Sequence, residues 1–206
     1  MEALNGNFMS KFHIYTDGSA KFNPGPGGWG MVVMNEDDSE LIIVEHENES
    51  MVTNNRMELK AMICALEYAA EYPKHTFIIY SDSAYVVNSC NSWMHTWALN
   101  GWKNSKKVTV ENVDLMKEIY SYLSRDFFNA EIKKCSGHTG EVGNELADAA
   151  ATGNWNKFKQ LLEYWEVKEP MTDAEFDMTI EEALAMMKAE ILVSQAEAGE
   201  NWFPND

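Results

Sequence analysis

Three β-strand patterns in immediate succession limit the folds that this chain can adopt. Residues 11–17 alternate polar and apolar side chains, residues 28–35 are apolar and β-branched, and residues 40–47 follow an acidic turn. Such short, closely spaced runs predict three consecutive strands, which we expect to pair antiparallel. The glycine- and proline-rich residues 21–28 predict a tight surface turn between the first two strands.

Helical periodicity begins after the third strand. Residues 54–72 carry an apolar stripe at 3–4 spacing, Thr53 offers a capping group, and Pro73 ends the pattern. Residues 75–82 predict a buried strand, 83–95 and 113–123 predict helices, 127–135 predict a further strand, and 144–151 predict a last core helix. The order β-β-β-α-β-α-α-β-α predicts an α/β fold: a mixed five-stranded sheet, three antiparallel strands then parallel ones, with helices on both faces.

The amino-acid composition of the chain changes after about Gly153 and becomes strongly acidic. We therefore predict two parts, a domain over residues 1–153 and an acidic, partly helical C-terminal extension over residues 154–206. Twelve acidic residues stand against four lysines after Trp155, and one helical segment there carries an apolar stripe of Ile180, Leu184, Met187 and Ile191. That stripe needs an apolar partner. We expect it to fold back on the core of a monomer. The alternatives are self-association, docking on another protein, and competition of the acidic face with nucleic acid for Lys103, Lys106 and Lys107.

Charge, cysteine content and hydropathy limit the ligands and the cellular compartment that we expect for this chain. The formal net charge of −17 argues against nucleic acid binding, yet no acidic residue lies between Asp82 and Glu111, where three lysines fall. The three cysteines form no CxxC pair, which predicts reduced thiols in the core. Nothing near the N-terminus resembles a signal peptide, and no apolar run reaches the ~20 residues needed to cross a membrane. We expect a cytoplasmic protein.

Four acidic residues stand in segments that predict where each carboxylate points. Two follow β-rich runs and two lie in helix-like stretches: Asp17, Asp82, Glu58 and Asp148. Carboxylates that converge from separate elements repel one another unless a cation neutralises them, and oxygen ligands suit Mg²⁺ or Mn²⁺ rather than zinc. The pattern predicts a metal-dependent phosphoryl-transfer site.

The motifs around these residues resemble type 1 ribonuclease H from about Lys11 to Ala151. The segments that carry the resemblance are TDGSAKFNPGPGGWG, TNNRMEL, SDSAYVVNS, WMHTWALNGWKNSKK, ENVDL and SGHTGEVGNELAD. Any one of them is weak evidence, but all occur in the family's order. The resemblance implies an endonuclease that hydrolyses the RNA strand of RNA–DNA hybrids and leaves 3′-hydroxyl and 5′-phosphate ends. It further implies two Mg²⁺ ions per site, with Mn²⁺ as an alternative.

The same resemblance assigns catalytic roles. Asp17, Glu58, Asp82 and Asp148 become the metal-binding carboxylates. His138, in a glycine-flanked loop, matches the family's mobile histidine, which assists proton transfer or product release. Glu145 becomes an auxiliary acid.

Substrate contacts follow from the resemblance as well. The RNA strand would be read through its 2′-hydroxyl groups by Gly18, Ser19, Asn23, Asn54 and Asn55. Thr53 and Asn112 would hold a phosphate of the DNA strand, although the companion arginine of some members falls at Met51. Trp93 would stack on a sugar, whereas Trp97 and Trp102 are expected to pack in the core.

The sequence departs from the family in its basic protrusion, where Ala98, Leu99 and Asn100 replace cationic residues. Fewer cations predict weaker hybrid binding and a shallower salt dependence. The alternatives to a ribonuclease H are a catalytically idle hybrid-binding module and another nuclease of the same superfold. The complete carboxylate set disfavours an idle module.

Overall fold

One mixed β-sheet of five strands organises the computed structural model, which describes residues 9–125, 129–137 and 140–165. The strands are β1 (Lys11–Ala20), β2 (Gly25–Asn35), β3 (Leu41–Val52), β4 (Thr76–Ser81) and β5 (Ala130–Lys134). Their order across the sheet is β3-β2-β1-β4-β5. β1 and β2, and β2 and β3, pair antiparallel, whereas β1 and β4, and β4 and β5, pair parallel. The predicted sheet is confirmed.

The helices connect these strands and cover them. They are α1 (Asn54–Glu71), α2 (Ala84–Asn88), α3 (Met94–Leu99), α4 (Val113–Leu123), α5 (Val142–Ala151) and α6 (Trp155–Trp165). Thr53 caps α1, and the helix ends two residues before Pro73, as the sequence predicts. The single helix predicted over 83–95 is instead α2 and α3 joined by a π-helical turn, Ser89–Trp93.

Both faces of the sheet are buried, because alternate residues of the central strands point to opposite sides. On β1, Ile14 packs in one apolar cluster with α1 and α4, while its neighbour Tyr15 packs in a second cluster with α5 and α6. On β2, Met31 and Val32 divide in the same way. The helices therefore lie on both faces, as predicted.

The glycine-rich stretch forms an exposed turn only over residues 21–24, a shorter turn than the one that we predict over residues 21–28. β2 begins at Gly25, so its glycines belong to the strand. Helix α5 approaches this strand so closely that a Cβ on Gly30 would lie 2.5 Å from the carbonyl oxygen of Ala147 and 2.7 Å from the amide nitrogen of Ala151. A glycine in a strand commonly marks such close approach of another backbone.

The first helix of the extension is part of the packed structure. Trp155, Phe158 and Leu162 recur at helical spacing along α6 and are buried in the α5 cluster. The Trp155 ring also meets the His46 ring of β3 at a centroid distance of 4.8 Å. The stripe predicted from Ile180 to Ile191 lies outside the described residues, and a domain boundary at residue 153 stays a prediction.

The cysteines and the helices bear on two of the predictions from the sequence. The three cysteines are free; Cys135 is buried, whereas Cys64 and Cys90 are half-buried. Within the described ranges, no helix combines the length and the apolar character that a membrane span requires.

Candidate active site

Asp17 and Asp82 lie next to each other at the point where two parallel strands part. The parallel register of β1 and β4 ends with the pair Thr16 and Ser81, so each aspartate is the next residue of its strand or loop. Adjacent strands run about 4.8 Å apart, which brings the two aspartates together. Asp17 is only 8% exposed, and its Oδ1 accepts a hydrogen bond of 2.8 Å from the Gly18 amide.

Glu58 completes a cluster of three carboxylates from three separate elements. It lies one turn into α1, buried against β1. Ligand atoms of Asp17, Glu58 and Asp82 all lie within 4.8 Å of one another. The predicted convergence of these three residues is therefore observed.

Burial and mutual repulsion make this cluster costly to ionise. The pKa of Asp17 is raised from 3.8 to about 8, first because of burial and then because of the nearby Asp82 and Asp148 charges. Burial, followed by repulsion from Asp17 and Asp82, raises the pKa of Glu58 well above its ordinary value. A group that binds protons this strongly in the absence of a cation is typical of a functional site.

A divalent cation fits the cluster. Oε2 of Glu58 is buried and has no hydrogen-bond partner among the described residues, so a lone pair is left for a ligand. All donors in the cluster are carboxylate oxygens, the ligands that Mg²⁺ and Mn²⁺ prefer. The donor set and the unpartnered oxygen both match a hard divalent ion.

Asp148 reaches the cluster from α5 but is held by a cation of the chain itself. The charge of Asp148 and a hydrogen bond between the two carboxyl groups both favour the protonated form of Asp17 and so raise its pKa. Oδ2 of Asp148 lies 2.5 Å from Nζ of Lys157, and the same ammonium lies 2.9 Å from Oε2 of Glu145. Burial would lower the pKa of Lys157, but the hydrogen bonds to Asp148 and Glu145 outweigh burial, and the pKa is raised.

Two of the predicted RNA-contacting asparagines fix the local backbone. Oδ1 of Asn23 accepts a hydrogen bond of 2.9 Å from the Asn54 amide, and Oδ1 of Asn54 accepts one of 2.9 Å from the Ala20 amide. Because the carbonyl oxygens are used in this way, the side-chain NH₂ groups are what each residue can offer a ligand. Asn55 is exposed in the first turn of α1, and Ser19 is half-buried on β1.

Thr53 and Asn112 both contact Arg56, a residue that the sequence alone does not place in the site. Arg56 donates from Nη1 to Oδ1 of Asn112 at 3.3 Å and pairs with both carboxylate oxygens of Asp114 at 3.1 and 2.8 Å. The amide of Arg56 also donates to Oγ1 of Thr53 at 3.4 Å. A cation thus stands beside the predicted phosphate pocket, although Asp114 balances its charge. The TNNRMEL motif contains this arginine, but only the fold brings it to Asn112.

The predicted tryptophans divide as expected. Trp97 and Trp102 are half-buried and pack against the core. Trp93 is 40% exposed, and its ring meets that of Trp97 at a centroid distance of 5.7 Å. Trp93 is therefore the one of the three that presents an aromatic surface. His138 lies outside the described residues, and its predicted role stays a prediction.

Comparison with known proteins identifies the family. A model of the RNase H family matches residues 9–155. The chain belongs to the ribonuclease H family. The ribonuclease H of Jannaschia sp. is 47% identical over 154 residues, which cover 73% of this chain and 95% of that relative. The ribonuclease H of Herminiimonas arsenicoxydans is 44% identical over 144 residues, which cover 69% and 93%.

A solved structure agrees with this assignment at the level of the fold. A type 1 RNase H with the type 2 active-site motif superposes with a TM-score of 0.62 at 22% identity, over 85% of this chain and 94% of that one. The curated relatives are ribonuclease H enzymes, and this chain is one too. The family match ends at Trp155, two residues before Lys157. No motif of the sequence points to Lys157, because its importance comes from the packing of α6 alone.

Proposed function

We propose that this enzyme hydrolyses the RNA strand of RNA–DNA hybrids by two-metal-ion catalysis and leaves 3′-hydroxyl and 5′-phosphate ends. The convergence of Asp17, Glu58 and Asp82 within 4.8 Å, with Asp148 hydrogen-bonded to Asp17, carries this proposal. A cluster so close and so buried needs positive charge, and phosphoryl transfer between oxygens needs the same charge at the scissile phosphate.

The carboxylates would divide the work of holding the ions. Asp17, central in the cluster, would contribute to both positions, with Glu58 and Asp82 on one side and Asp148 on the other. When bound, a pair of divalent ions activates water and stabilises the leaving oxygen of an in-line displacement. His138 would accept or deliver a proton near these residues, and Glu145 would orient water as an auxiliary acid.

RNA would be distinguished from DNA by contacts close to the backbone. The Asn54 side chain joins the start of α1 to the end of β1, and Asn23 joins it to the β1–β2 turn; β1 and α1 are the elements that carry Asp17 and Glu58. A ribose 2′-hydroxyl both donates and accepts hydrogen bonds, so amide side chains and main-chain groups can read it. Asn55 and the main chain at Gly18 and Ser19 would complete the set.

The DNA strand would be held beside the first turn of α1. Thr53 and Asn112 would bind one phosphate, with Arg56 providing charge if its pairing with Asp114 loosens. Trp93 would stack on a sugar. Lys103, Lys106 and Lys107 are exposed and supply the remaining positive charge. With few cations to release counterions, binding should depend only shallowly on salt.

A cleavage assay tests this function. An end-labelled RNA–DNA hybrid is incubated with the enzyme and Mg²⁺, alongside RNA and DNA duplexes of the same sequence. We expect cleavage of the hybrid alone, no cleavage with a chelator, and products that a 5′-phosphate-dependent exonuclease degrades. Hybrid binding without cleavage would contradict the proposal and favour an idle binding module.

A second assay tests the substrate contacts. Trp93→Ala should weaken hybrid binding by roughly 1–3 kcal/mol, the usual cost of a lost stacking contact. Ser92→Ala, on the same turn, changes an exposed side chain outside the proposed contacts and serves as the control. Equal affinity of the two variants would remove Trp93 from the binding surface. The cytoplasmic location, the monomeric state and the identity of the ions, Mg²⁺ or alternatively Mn²⁺, stay predictions.

A further inference from the structure

Lys157 places a positive charge at one edge of the candidate metal-binding carboxylates. Its ammonium contacts Asp148 Oδ2 at 2.5 Å and Glu145 Oε2 at 2.9 Å. The side chain is about one-third exposed, whereas those of Asp148 and Glu145 are 19% and 13% exposed. The two carboxylates are therefore shielded from water, whereas the Lys157 side chain retains access to it.

The position of Lys157 is enforced by the helix that carries it. Trp155 and Phe158, on either side of Lys157, are 4% and 2% exposed in the core. The Lys157 amide donates to Oδ1 of Asn154 at 3.0 Å, which fixes the start of α6. Because α6 cannot rotate without exposing two aromatic rings, the backbone of Lys157 is held where its side chain can reach Asp148.

An ammonium and a divalent ion compete for the same carboxylate. The ammonium already donates to Oδ2 of Asp148 at 2.5 Å. A divalent ion ligated by that oxygen would stand within a few ångströms of the ammonium, where like charges repel strongly at a shielded site. The ion must therefore displace the lysine from Asp148.

We propose that Lys157 is an internal competitor for the divalent ion at Asp148 and thereby raises the metal concentration that the site requires. This inference rests on the proposed function, because it takes Asp148 as a metal ligand. In the metal-free protein, Lys157 supplies the cation that keeps Asp148 and Glu145 together. On metal binding, its flexible stem swings toward water while α6 stays in place.

Metal titration of the full-length protein tests the proposal without substrate. Binding of Mn²⁺ is measured by calorimetry and by the loss of the free-ion electron paramagnetic resonance signal. Lys157→Met keeps the apolar stem but removes the charge, and it should tighten the weaker Mn²⁺ site by about tenfold or more, the fold-change that loss of a charged hydrogen bond corresponds to. Lys157→Arg retains the charge and should bind Mn²⁺ nearly as weakly as the wild type.

Two controls separate competition from other effects. Lys159→Met makes the same change at an exposed position of α6 and should leave the Mn²⁺ affinity as it is. In an Asp148→Asn background, Lys157→Met should no longer alter the affinity, because the shared ligand is gone. Lys157→Gln is the second variant if Lys157→Met does not fold, as judged by thermal unfolding.

The outcomes distinguish this inference from the proposed function. A wild type that binds no Mn²⁺ would overturn both. A wild type that binds Mn²⁺, with equal or weaker affinity in Lys157→Met, would overturn the inference alone and make the ammonium a partner of the metal. Tightening in Lys159→Met equal to that in Lys157→Met would also overturn it, since net charge would then explain the effect.

Discussion

Gly18 of β1 rests on the backbone of Glu58 of α1 with no room for a side chain. A Cβ on Gly18 would lie 2.1 Å from the Glu58 nitrogen and 2.4 Å from the Met57 carbonyl carbon. This contact sets the distance between the strand that carries Asp17 and the helix that carries Glu58. Two carboxyl groups are thus buried side by side by the packing of main chain on main chain.

Asp17→Asn should abolish hybrid cleavage, with a loss of at least about a hundredfold, because each bound ion supplies several kcal/mol of charge stabilisation and 1.36 kcal/mol is a factor of ten. The metal-free variant should unfold at the same or a higher temperature, because an amide is neutral at any pH, whereas Asp17 must either bind a proton or meet the repulsion of Asp82 and Asp148. Cleavage assays and thermal unfolding measure the two effects. A variant that keeps more than a few per cent of the wild-type rate would contradict the assignment.

The stability of the metal-free protein should fall as the pH rises. The pKa of Asp17 is about 8 when folded and near 3.8 when unfolded, so the folded state holds this proton more tightly. The resulting stabilisation is complete below about pH 4 and is lost by about pH 8, with a slope of about 1.4 kcal/mol per pH unit for each proton involved.

Urea unfolding in the presence of a chelator, at about pH 5 and about pH 8, measures this slope. Asp17→Asn should flatten it, and saturating Mg²⁺ should reverse it, because the ion binds the ionised carboxylates. A wild-type slope equal to that of Asp17→Asn would show that Asp17 ionises normally in the folded state.

His138→Ala should slow turnover by roughly ten- to a hundredfold, at or below the lower end of what a general acid or base contributes. Affinity for Mg²⁺ should change little, because a hard, oxygen-seeking ion does not need an imidazole. Single-turnover kinetics and calorimetric titration measure these quantities. Loss of Mg²⁺ affinity would instead identify His138 as a ligand.

Two truncations separate the packed helix of the extension from the rest of it. Ending the chain after residue 153 removes α6, and with it three buried apolar side chains, each stabilising the fold by roughly 1.5–3 kcal/mol. We expect severe destabilisation. Ending it after residue 165 keeps α6 and removes the predicted acidic helix.

If that helix folds back on the core, the chain ending at residue 165 should melt at a lower temperature and remain monomeric by light scattering. A dimeric full-length protein and a monomeric truncated chain would instead indicate self-association. A truncated chain with unchanged melting temperature, oligomeric state and hybrid affinity would show that residues 166–206 serve an outside partner.

Much of the fold and part of the site can be predicted from sequence, since strand alternation and helical stripes are local signals. The succession of strands and helices along the chain follows from them. The motifs point to all four carboxylates, of which Asp17, Glu58 and Asp82 lie within 4.8 Å of one another. The length of the β1–β2 turn does not follow from local signals, because residues 25–30 resemble turn residues but pair with β3, and the approach of α5 accounts for the glycines at 28 and 30. Lys157 and Arg56 are also missed, because each gains its partner only through tertiary contact.

The absence of a side chain at Gly30 affects both the strand that carries Asp17 and the helix that carries Asp148. Gly30 is the register partner of Asp17 on the neighbouring strand, and its missing side chain is also where α5, the helix of Asp148, comes to rest. A single methyl group added there would push α5 outward and increase the distance between Asp17 and Asp148, although it would contact neither carboxyl group. The distance between these two acids thus depends on a hydrogen atom, rather than a side chain, at position 30.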